Sequence, residues 1–172
     1  MTVSVMPAVR EQLIHVPVGT AILAGTLRLP EGSRGVILFA HGSGSGRHSP
    51  RNRRVAQLLN EARLATLLID LLTSDEEAVD ARTAHLRFNI ELLTQRLIAA
   101  TDWLARRADT GHLAIGYFGA STGAAAALVA ATERSDGWGQ LCRVVGGPIW
   151  QDRSCLLFRR LLCSSSAETI SR

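Results

Sequence analysis

Three short apolar segments, each followed by a stretch of helical character, constrain the fold of this chain most strongly. The segments are "GVILFAHG" at 35–42, "LATLLID" at 64–70 and "LAIGYFG" at 113–119. Continuous apolar runs of this length are typical of strands buried on both faces, as in a parallel sheet. The stretches at 50–62, 83–107 and 122–132 have helical apolar spacing or high helix propensity. The alternation predicts an α/β fold with a doubly wound, mostly parallel sheet.

The other segments fit around this frame. Apolar residues on both sides of Gly19 predict a β-hairpin at the start of the sheet. Ser49 and Pro50 predict the start of the first helix, as its N-cap and first helical residue. The acidic stretch at 73–80 is expected to be a link without regular structure. A single long helix is expected at 83–107, where apolar residues recur every three or four positions.

Composition excludes several classes of protein. The chain has 172 residues and a net charge of +4, of which +3 falls in residues 137–172, so the main body is nearly neutral. The basic stretch at 47–54 contains no aromatic residues that could stack on bases, and we expect no nucleic-acid partner. No apolar run reaches the ~18 residues of a membrane span, and the first residues do not resemble a secretory signal. We therefore expect a soluble, cytoplasmic protein that does not bind membranes.

The segment "IGYFGASTGAAAAL" at 115–128 contains the pattern G-x-S-x-G, formed by Gly119, Ser121 and Gly123. In hydrolases this pattern places a nucleophilic serine on a strained turn between a strand and a helix. The two glycines allow the strand and the helix to approach closely, so that the hydroxyl is exposed. Serine is also a favoured N-cap residue, and Ser121 could simply cap the helix. The pentapeptide alone leaves both interpretations open.

A second glycine motif, "HGSGSG" at 41–46, follows an earlier predicted strand. Hydrolases with the G-x-S-x-G turn keep a loop of this HG type at that position, where it forms part of an oxyanion hole. Gly42 or Ser43 would donate one backbone N–H, and Thr122, directly after the serine, would donate the other. A phosphate-binding role for the loop is disfavoured because no P-loop or dinucleotide-binding pattern is present.

Together, residues 38–73 and 115–133 resemble the dienelactone hydrolase type of α/β-hydrolase, and the resemblance extends over roughly residues 10–136. It implies a Ser121 nucleophile and hydrolysis of a carboxylic ester, lactone or thioester through an acyl-enzyme. Members close to dienelactone hydrolase itself use cysteine, so the serine indicates the broader ester-hydrolase branch. The expected partner is a small ester-type substrate. No spacing of ligand residues indicates a metal or an organic cofactor.

The histidine of the expected triad is missing from its usual place. In this fold the order along the chain is serine, acid, histidine, but no histidine follows Ser121. His48, in the loop after the glycine motif, is the best candidate for a substitute base. His41, at the end of a predicted strand, is expected to orient the oxyanion loop instead.

The sequence changes character after about residue 136. Residues 137–172 contain all three cysteines and lose the alternation of strands and helices. A frame displaced by one base, with third codon bases left free, can encode "RVGAVVSRGGRPDLAG" from residue 136 and "LLIVGGND" later. Both segments are strand-like, and the second ends in an acidic loop. We therefore expect residues 1–136 to be a hydrolase core and 137–172 to be an out-of-frame tail, a hypothesis that DNA sequencing would test.

This hypothesis has two consequences. The product would lack the C-terminal strands, leaving the strand at 113–119 as an exposed apolar edge through which chains could self-associate. It would also lack the acid and the histidine of the triad. The alternatives to a working enzyme are therefore a catalytically inactive hydrolase fragment or a non-catalytic binding module.

Overall fold

The computed structural model describes residues 8–134 and the backbone of residues 144 and 145. A hairpin of β1 (Val9–Val18) and β2 (Ala21–Pro30) is followed by β3 (Gly35–Ala40), α1 (Pro50–Glu61) and β4 (Ala65–Ile69). Next come α2 (Ser74–Thr83), a 3-10 turn (Leu86–Phe88) and α3 (Ile90–Arg106). The described part ends with β5 (Ala114–Gly119), α4 (Thr122–Glu133) and the short β6 (Val144–Val145).

These strands form one mixed sheet in the order β1-β2-β4-β3-β5-β6. The hairpin strands pair antiparallel, and β2 continues antiparallel onto β4. From β4 onward the pairs β4–β3, β3–β5 and β5–β6 are all parallel. The predicted hairpin and the doubly wound, mostly parallel sheet are therefore confirmed. Because parallel strands share one direction, the loops that follow β3, β4 and β5 meet at one edge of the sheet.

Helices pack against both faces of the sheet, and β3 shows how the sequence achieves this. All six of its residues are buried, and successive side chains enter opposite cores. On one face, Val36 and Leu38 lie in a cluster with residues of α3 and α4. On the other face, Ile37 and Phe39 lie in a smaller cluster with residues of α1. A strand covered on both sides cannot alternate apolar with polar residues, which explains its continuous apolar sequence.

The region between β4 and β5 differs from the prediction. The acidic stretch expected to be a link begins α2, and Thr73 and Glu76 form a complete capping box at its start. The single helix expected at 83–107 is also wrong, because α2 ends at Thr83 and Ala84 adopts a left-handed conformation with φ +52°. After the 3-10 turn, Asn89 caps α3 by accepting a hydrogen bond from the backbone N–H of Leu92.

The outer edge of the sheet also differs in part from the prediction. The backbone of Tyr117 and Phe118 in β5 pairs with β6, so this part of β5 is not an open edge. The predicted change of frame and the remainder of the predicted tail lie outside the described residues. None of the described helices combines the length and the apolar character needed to cross a membrane.

Candidate active site

The turn from β5 to α4 places Ser121 at the carboxyl edge of the sheet. Its backbone has φ +53° and ψ −127°, a conformation that residues with a side chain rarely adopt. Ser121 is exposed and stands at the N-cap position of α4, yet its side chain makes no capping hydrogen bond. A serine selected only as a cap would bond to the helix N–H groups. The geometry is therefore that of a strained elbow rather than an ordinary helix cap.

The two glycines of the motif make this elbow sterically feasible. A Cβ on Gly119 would lie 2.7 Å from the Cα of Ala124 in the first turn of α4. A Cβ on Gly123 would lie 2.1 Å from the carbonyl oxygen of Ala40, at the end of the neighbouring strand β3. Both distances are far inside van der Waals contact. Any larger residue would move α4 away from the strand ends, and Ser121 with it.

The glycine motif after β3 lies directly beside the elbow. A Cβ on Gly42 would come within 2.9 Å of the carbonyl oxygen of Ala120 and 3.2 Å of the Cβ of Ser121. Ser43 follows on the exposed side of the loop. Thr122 is the first residue of α4, where backbone N–H groups have no acceptor within the helix. The structure thus brings Gly42, Ser43 and Thr122 to the same place as Ser121.

His41 fixes the start of this loop. Its Nε2 accepts a hydrogen bond of 2.9 Å from the backbone N–H of Leu71, so the proton of the neutral ring resides on Nδ1. That nitrogen lies 3.1 Å from the carbonyl oxygen of Gly42 and donates a hydrogen bond to it. Both ring nitrogens are therefore occupied. His41 is placed to orient the loop and has no free lone pair with which to act as a base.

Asp70, at the end of β4, fixes the far side of the same loop. Its Oδ1 accepts a 2.7 Å hydrogen bond from the backbone N–H of Arg47, and its Oδ2 pairs with the guanidinium of that residue. Gly46 passes so close that a Cβ there would lie 2.9 Å from Oδ1. The glycine loop is thus attached to the ends of two strands, β3 and β4. This attachment preorganises its backbone N–H groups without help from a ligand.

His48 is exposed and does not have the arrangement of a triad histidine. Its Nδ1 lies 2.7 Å from the guanidinium of Arg53, which can only donate, so Nδ1 accepts. In a triad, Nδ1–H donates to a carboxylate and Nε2 accepts the serine proton. Among residues 8–134, no histidine is hydrogen-bonded to Ser121. The structure therefore places His48 near the site but without the orientation that the substitute-base hypothesis requires.

A cavity of about 380 Å³ opens beside the glycine loop. It is lined by the loop itself with His48 and Thr122, and also by Glu77, Asp80 and Arg87. Ser121 lies next to this cavity in sequence but is not one of its lining residues. The Oγ1 of Thr122 is buried and has no hydrogen-bond partner among the described residues.

The wall formed by α2 and the 3-10 turn depends on a buried carboxylate that sequence reasoning missed. Asp80 is 2% exposed and accepts hydrogen bonds from the backbone N–H groups of Leu86 and Arg87 and from the Arg87 guanidinium. Burial tends to raise the pKa of Asp80, but the bonds from Arg87 and Leu86 outweigh it and hold the pKa below its ordinary value. Asp80 therefore remains ionised as a structural counterion, and its carboxylate already has its partners.

A second ion pair attaches α2 to α3. The guanidinium of Arg96, almost fully buried, donates to both carboxylate oxygens of Glu76 and to the carbonyl oxygen of Leu71. The bonds from Arg96 lower the pKa of Glu76, although partial burial opposes them. The sequence signal for this helix was the spacing T-x-x-E at 73–76, which is that of a capping box. No group of residues that could hold a metal ion occurs in the described part of the chain.

Comparison with solved structures identifies the fold. A dienelactone hydrolase from Anabaena variabilis is 56% identical, with a TM-score of 0.75 over 82% of this chain and 63% of its own. The described part of this chain has the dienelactone hydrolase-type α/β-hydrolase fold. The resemblance and the fold class predicted from the sequence are confirmed. This chain spans just under two thirds of that relative.

More distant structures share the fold. A dienelactone hydrolase-like promiscuous phosphotriesterase from metagenomic libraries is 16% identical, with a TM-score of 0.61 over 88% of this chain and 76% of its own. A cold-adapted esterase from an Arctic intertidal metagenomic library is 19% identical, with a TM-score of 0.57 over 74% of this chain and 57% of its own. At these identities the likeness shows the architecture alone.

Among curated proteins, two from Mycobacterium tuberculosis, strains CDC 1551 and H37Rv, are 54% identical over 127 residues. Each is named "Putative phosphoribosyl transferase", and the match covers 74% of this chain but 28% of theirs. This chain therefore spans little more than a quarter of the curated relatives that it matches. No protein-family model matches this chain.

Proposed function

We propose that this chain carries the nucleophile and oxyanion hole of a serine hydrolase that acts on carboxylic esters, lactones or thioesters. The observation that carries the proposal is the strained, uncapped Ser121 at φ +53° against Gly42. Strain of about 1–3 kcal/mol persists only where the surroundings impose it, and such positions cluster at functional sites. Here the strain exposes a hydroxyl beside backbone N–H groups.

The proposed reaction proceeds in two steps. The Oγ of Ser121 attacks the acyl carbonyl carbon and loses its proton to a base, the alcohol or thiol departs with a proton, and water then releases the acyl group. The oxyanion of each tetrahedral intermediate accepts hydrogen bonds from the N–H of Thr122 and from that of Gly42 or Ser43. One such donor is worth about 3 kcal/mol of transition-state stabilisation. The N-terminus of α4 adds a favourable partial positive charge.

No described residue is assigned as the base or the acid of the triad. No histidine follows Ser121 in the sequence, and the described histidines have the positions given above. If residues 137–172 are out of frame, the segments that supply both groups in the family are not encoded. An enzyme that keeps only substrate binding and the oxyanion hole retains about a 10³- to 10⁴-fold acceleration over water. The inactive fragment and the non-catalytic binding module therefore remain the alternative proposals.

An ester assay with two serine variants separates these proposals. Hydrolysis of an activated aryl ester is compared for the natural chain, Ser121→Ala and Ser43→Ala. Ser43 is the matched control because only its backbone N–H has a proposed role, and alanine keeps that group. Loss of activity in Ser121→Ala alone supports the hydrolase. Equal rates in all three chains would favour a non-catalytic module.

Covalent labelling gives a second readout of the same proposal. An aryl phosphonate that forms a stable adduct with activated serines is incubated with each chain, and the labelled peptide is identified by mass spectrometry. We expect modification within residues 115–128 of the natural chain and none there in Ser121→Ala. Modification elsewhere, or at equal rates in both chains, would contradict the assignment of Ser121.

The other features of the proposal follow from the sequence and the relatives. We propose a small ester-type substrate, a cytoplasmic location, no nucleic-acid or membrane partner, and self-association through the edge of the sheet at β5. The transferase name of the curated relatives is not carried over, because the match covers 28% of those proteins. Their other 72% is available for the named activity.

A further inference from the structure

A second cavity, of about 460 Å³, lies between the first turn of α1 and the outer strands β1 and β2. Five of its lining residues are basic or can become so: Arg28, Arg47, His48, Arg53 and Arg54. Glu11 is its one carboxylate among the described residues. Apolar residues, including Leu13 and Leu68, form much of the remaining surface. We call this cavity the arginine groove.

Two of the arginines are already neutralised. Arg28 pairs with Glu11 at 2.6 Å, and Arg47 pairs with Asp70 below the glycine loop. Even so, the Nε of Arg47 is buried and has no hydrogen-bond acceptor among the described residues. A buried donor without a partner is costly.

The other two arginines have no carboxylate partner in the described part of the chain. Arg53 donates to His48 at 2.7 Å, and Arg54 donates to the neutral side chain of Gln57 at 3.3 Å. Both residues are exposed. Since neither contact carries a negative charge, the groove has a local excess of about two positive charges.

The position of this excess charge is unfavourable for the helix alone. Arg53 completes the first turn of α1 and Arg54 follows it, near the end where the helix dipole already presents a partial positive charge. No acidic residue lies in that turn, and the N-cap Ser49 makes no side-chain hydrogen bond to the helix. Cations, the positive end of the helix dipole and a cavity together form an arrangement that a bound anion would stabilise.

The groove is also connected to the candidate active site. His48 lines both the groove and the cavity beside the glycine loop. Asn52, in the first turn of α1, donates to the hydroxyl of Ser45 and to the carbonyl oxygen of Gly46. The same short segment therefore borders both cavities, and a single elongated molecule could occupy the two.

We propose that the arginine groove binds a phosphate group carried by the substrate, while the acyl carbonyl of that substrate lies at Ser121. This inference rests on the proposed hydrolase function. Phosphate fits because guanidinium groups bind its oxygens through paired hydrogen bonds. The substrate class is thus a phosphorylated carboxylic ester or thioester, with the apolar part of the groove contacting the carbon chain next to the phosphate.

The first test measures anion binding independently of catalysis. Inorganic pyrophosphate is titrated calorimetrically into the natural chain, Ser121→Ala, Arg53→Gln and Arg106→Gln. Arg106 is the matched control because it is exposed, carries the same charge and lies at the end of α3, before β5 begins. We expect about a tenfold weaker affinity for Arg53→Gln and unchanged affinity for the other two variants. Equal weakening in Arg106→Gln, or no binding to the natural chain, overturns the groove.

The second test distinguishes a phosphate on the substrate from a free phosphate compound. The full-length Ser121→Ala chain is titrated with acetylglycerol phosphate and with the same ester lacking the phosphate. We expect the phosphorylated ester to bind at least tenfold more tightly than its counterpart and more tightly than inorganic phosphate, and to lose this advantage when Arg53→Gln is added. If inorganic phosphate binds as well as the phosphorylated ester, the groove serves a free anion and the substrate assignment is wrong.

These outcomes are separable from failure of the hydrolase proposal itself. Pyrophosphate binding that depends on Arg53, with no Ser121-dependent hydrolysis, would support the anion site and contradict the hydrolase proposal. Ser121-dependent hydrolysis without anion binding would support the hydrolase proposal and contradict the anion site.

Discussion

Replacing Gly123 with alanine tests the packing that the elbow requires. A Cβ at this position would lie 2.1 Å from the carbonyl oxygen of Ala40 and 2.4 Å from that of His41. Because both atoms belong to the backbone at the end of β3, no side-chain rotation can relieve the contact. Helix α4 would have to retreat by roughly 1 Å from a close-packed interior.

Two opposing terms set the magnitude of this effect. Overpacking of a tightly packed site costs about 1–3 kcal/mol, and three backbone contacts below 3 Å place Gly123 at the upper end. Alanine in place of glycine returns up to about 1 kcal/mol of helix propensity. The net expectation is a loss of about 2 kcal/mol in the free energy of unfolding. For a chain of this size, that lowers the melting temperature by roughly 4–8 °C.

The measurement is urea unfolding of both chains, followed by circular dichroism. Ala125→Gly is the matched control, because it makes the reverse exchange in the same helix and reports the propensity term by itself. It is expected to cost about 1 kcal/mol. If Gly123→Ala were as stable as the natural chain or more stable, α4 would not approach β3 as described, and the elbow geometry would be wrong.

Three further substitutions test the site and its supports. Ser121→Gly should stabilise the fold by about 1 kcal/mol or more in urea unfolding, because glycine adopts φ +53° without strain; a less stable variant would mean that the strain is absent. Glu76→Gln should reduce the loss of unfolding free energy that occurs as the pH is lowered below neutrality. Since Arg96 lowers the pKa of Glu76 below 4.5, this contribution is present above pH 4.5 and is lost as the pH falls through the lowered pKa, so identical pH profiles for both chains would refute it. Gly42→Ala should slow Ser121-dependent ester hydrolysis about 100-fold, because its Cβ would lie 2.9 Å from the carbonyl oxygen of Ala120 and displace an oxyanion donor; an unchanged rate would place that donor elsewhere.

The parts of the fold that could be predicted are those in which local sequence and burial agree. The run at 35–42 is apolar at successive positions because β3 contributes to two cores, and only a strand between two helix layers requires that. Pro50 correctly predicted the start of α1 and Gly19 the turn of the hairpin, because each residue has a strong local backbone preference. For these elements, tertiary structure reinforces what the sequence already favours.

The region of α2 could not be predicted from apolar periodicity, because this helix buries almost no apolar side chains. Its one buried residue is Asp80, a carboxylate. What holds the helix in place is the Asp80–Arg87 and Glu76–Arg96 pairing, and the second pair joins residues twenty positions apart. The left-handed Ala84 then divides what looked like one helix. The capping-box spacing was the available signal, and it lay within the segment assigned to a link.

The proximity of the candidate residues could be predicted from the sequence, but most of the contacts that hold them in place could not. Two glycine motifs sufficed to place Ser121 beside Gly42, because the ends of neighbouring parallel strands meet at one edge. The bonds from Leu71 to His41 and from Arg47 to Asp70 cross between strand ends. The orienting role of His41 was predicted, but nothing in the local sequence specifies its partner Leu71 or the bond between Arg47 and Asp70, which only the structure shows.

The contacts that position Ser121 and the glycine loop do not depend on the residues that would transfer its proton. Ser121 is positioned by Gly119 and Gly123, and the glycine loop by His41 and Asp70, all within the described residues. None of these contacts involves a triad histidine. If Ser121 is the nucleophile, as proposed, slow hydrolysis by this chain would result from a missing base rather than from a misplaced hydroxyl group. A base supplied from solution should then restore part of the activity.

Imidazole provides that test. It is added at increasing concentration to the natural chain and to Ser121→Ala, with an activated aryl ester as substrate, and the rate without protein is subtracted. We expect an imidazole-dependent gain in the natural chain only. The gain should be small compared with that of a built-in histidine, because a positioned group acts at an effective concentration of about 10⁵ M or more. The same gain in both chains would show that Ser121 is not the group that imidazole activates. The proposal that the chain positions Ser121 and lacks only a base would then be wrong.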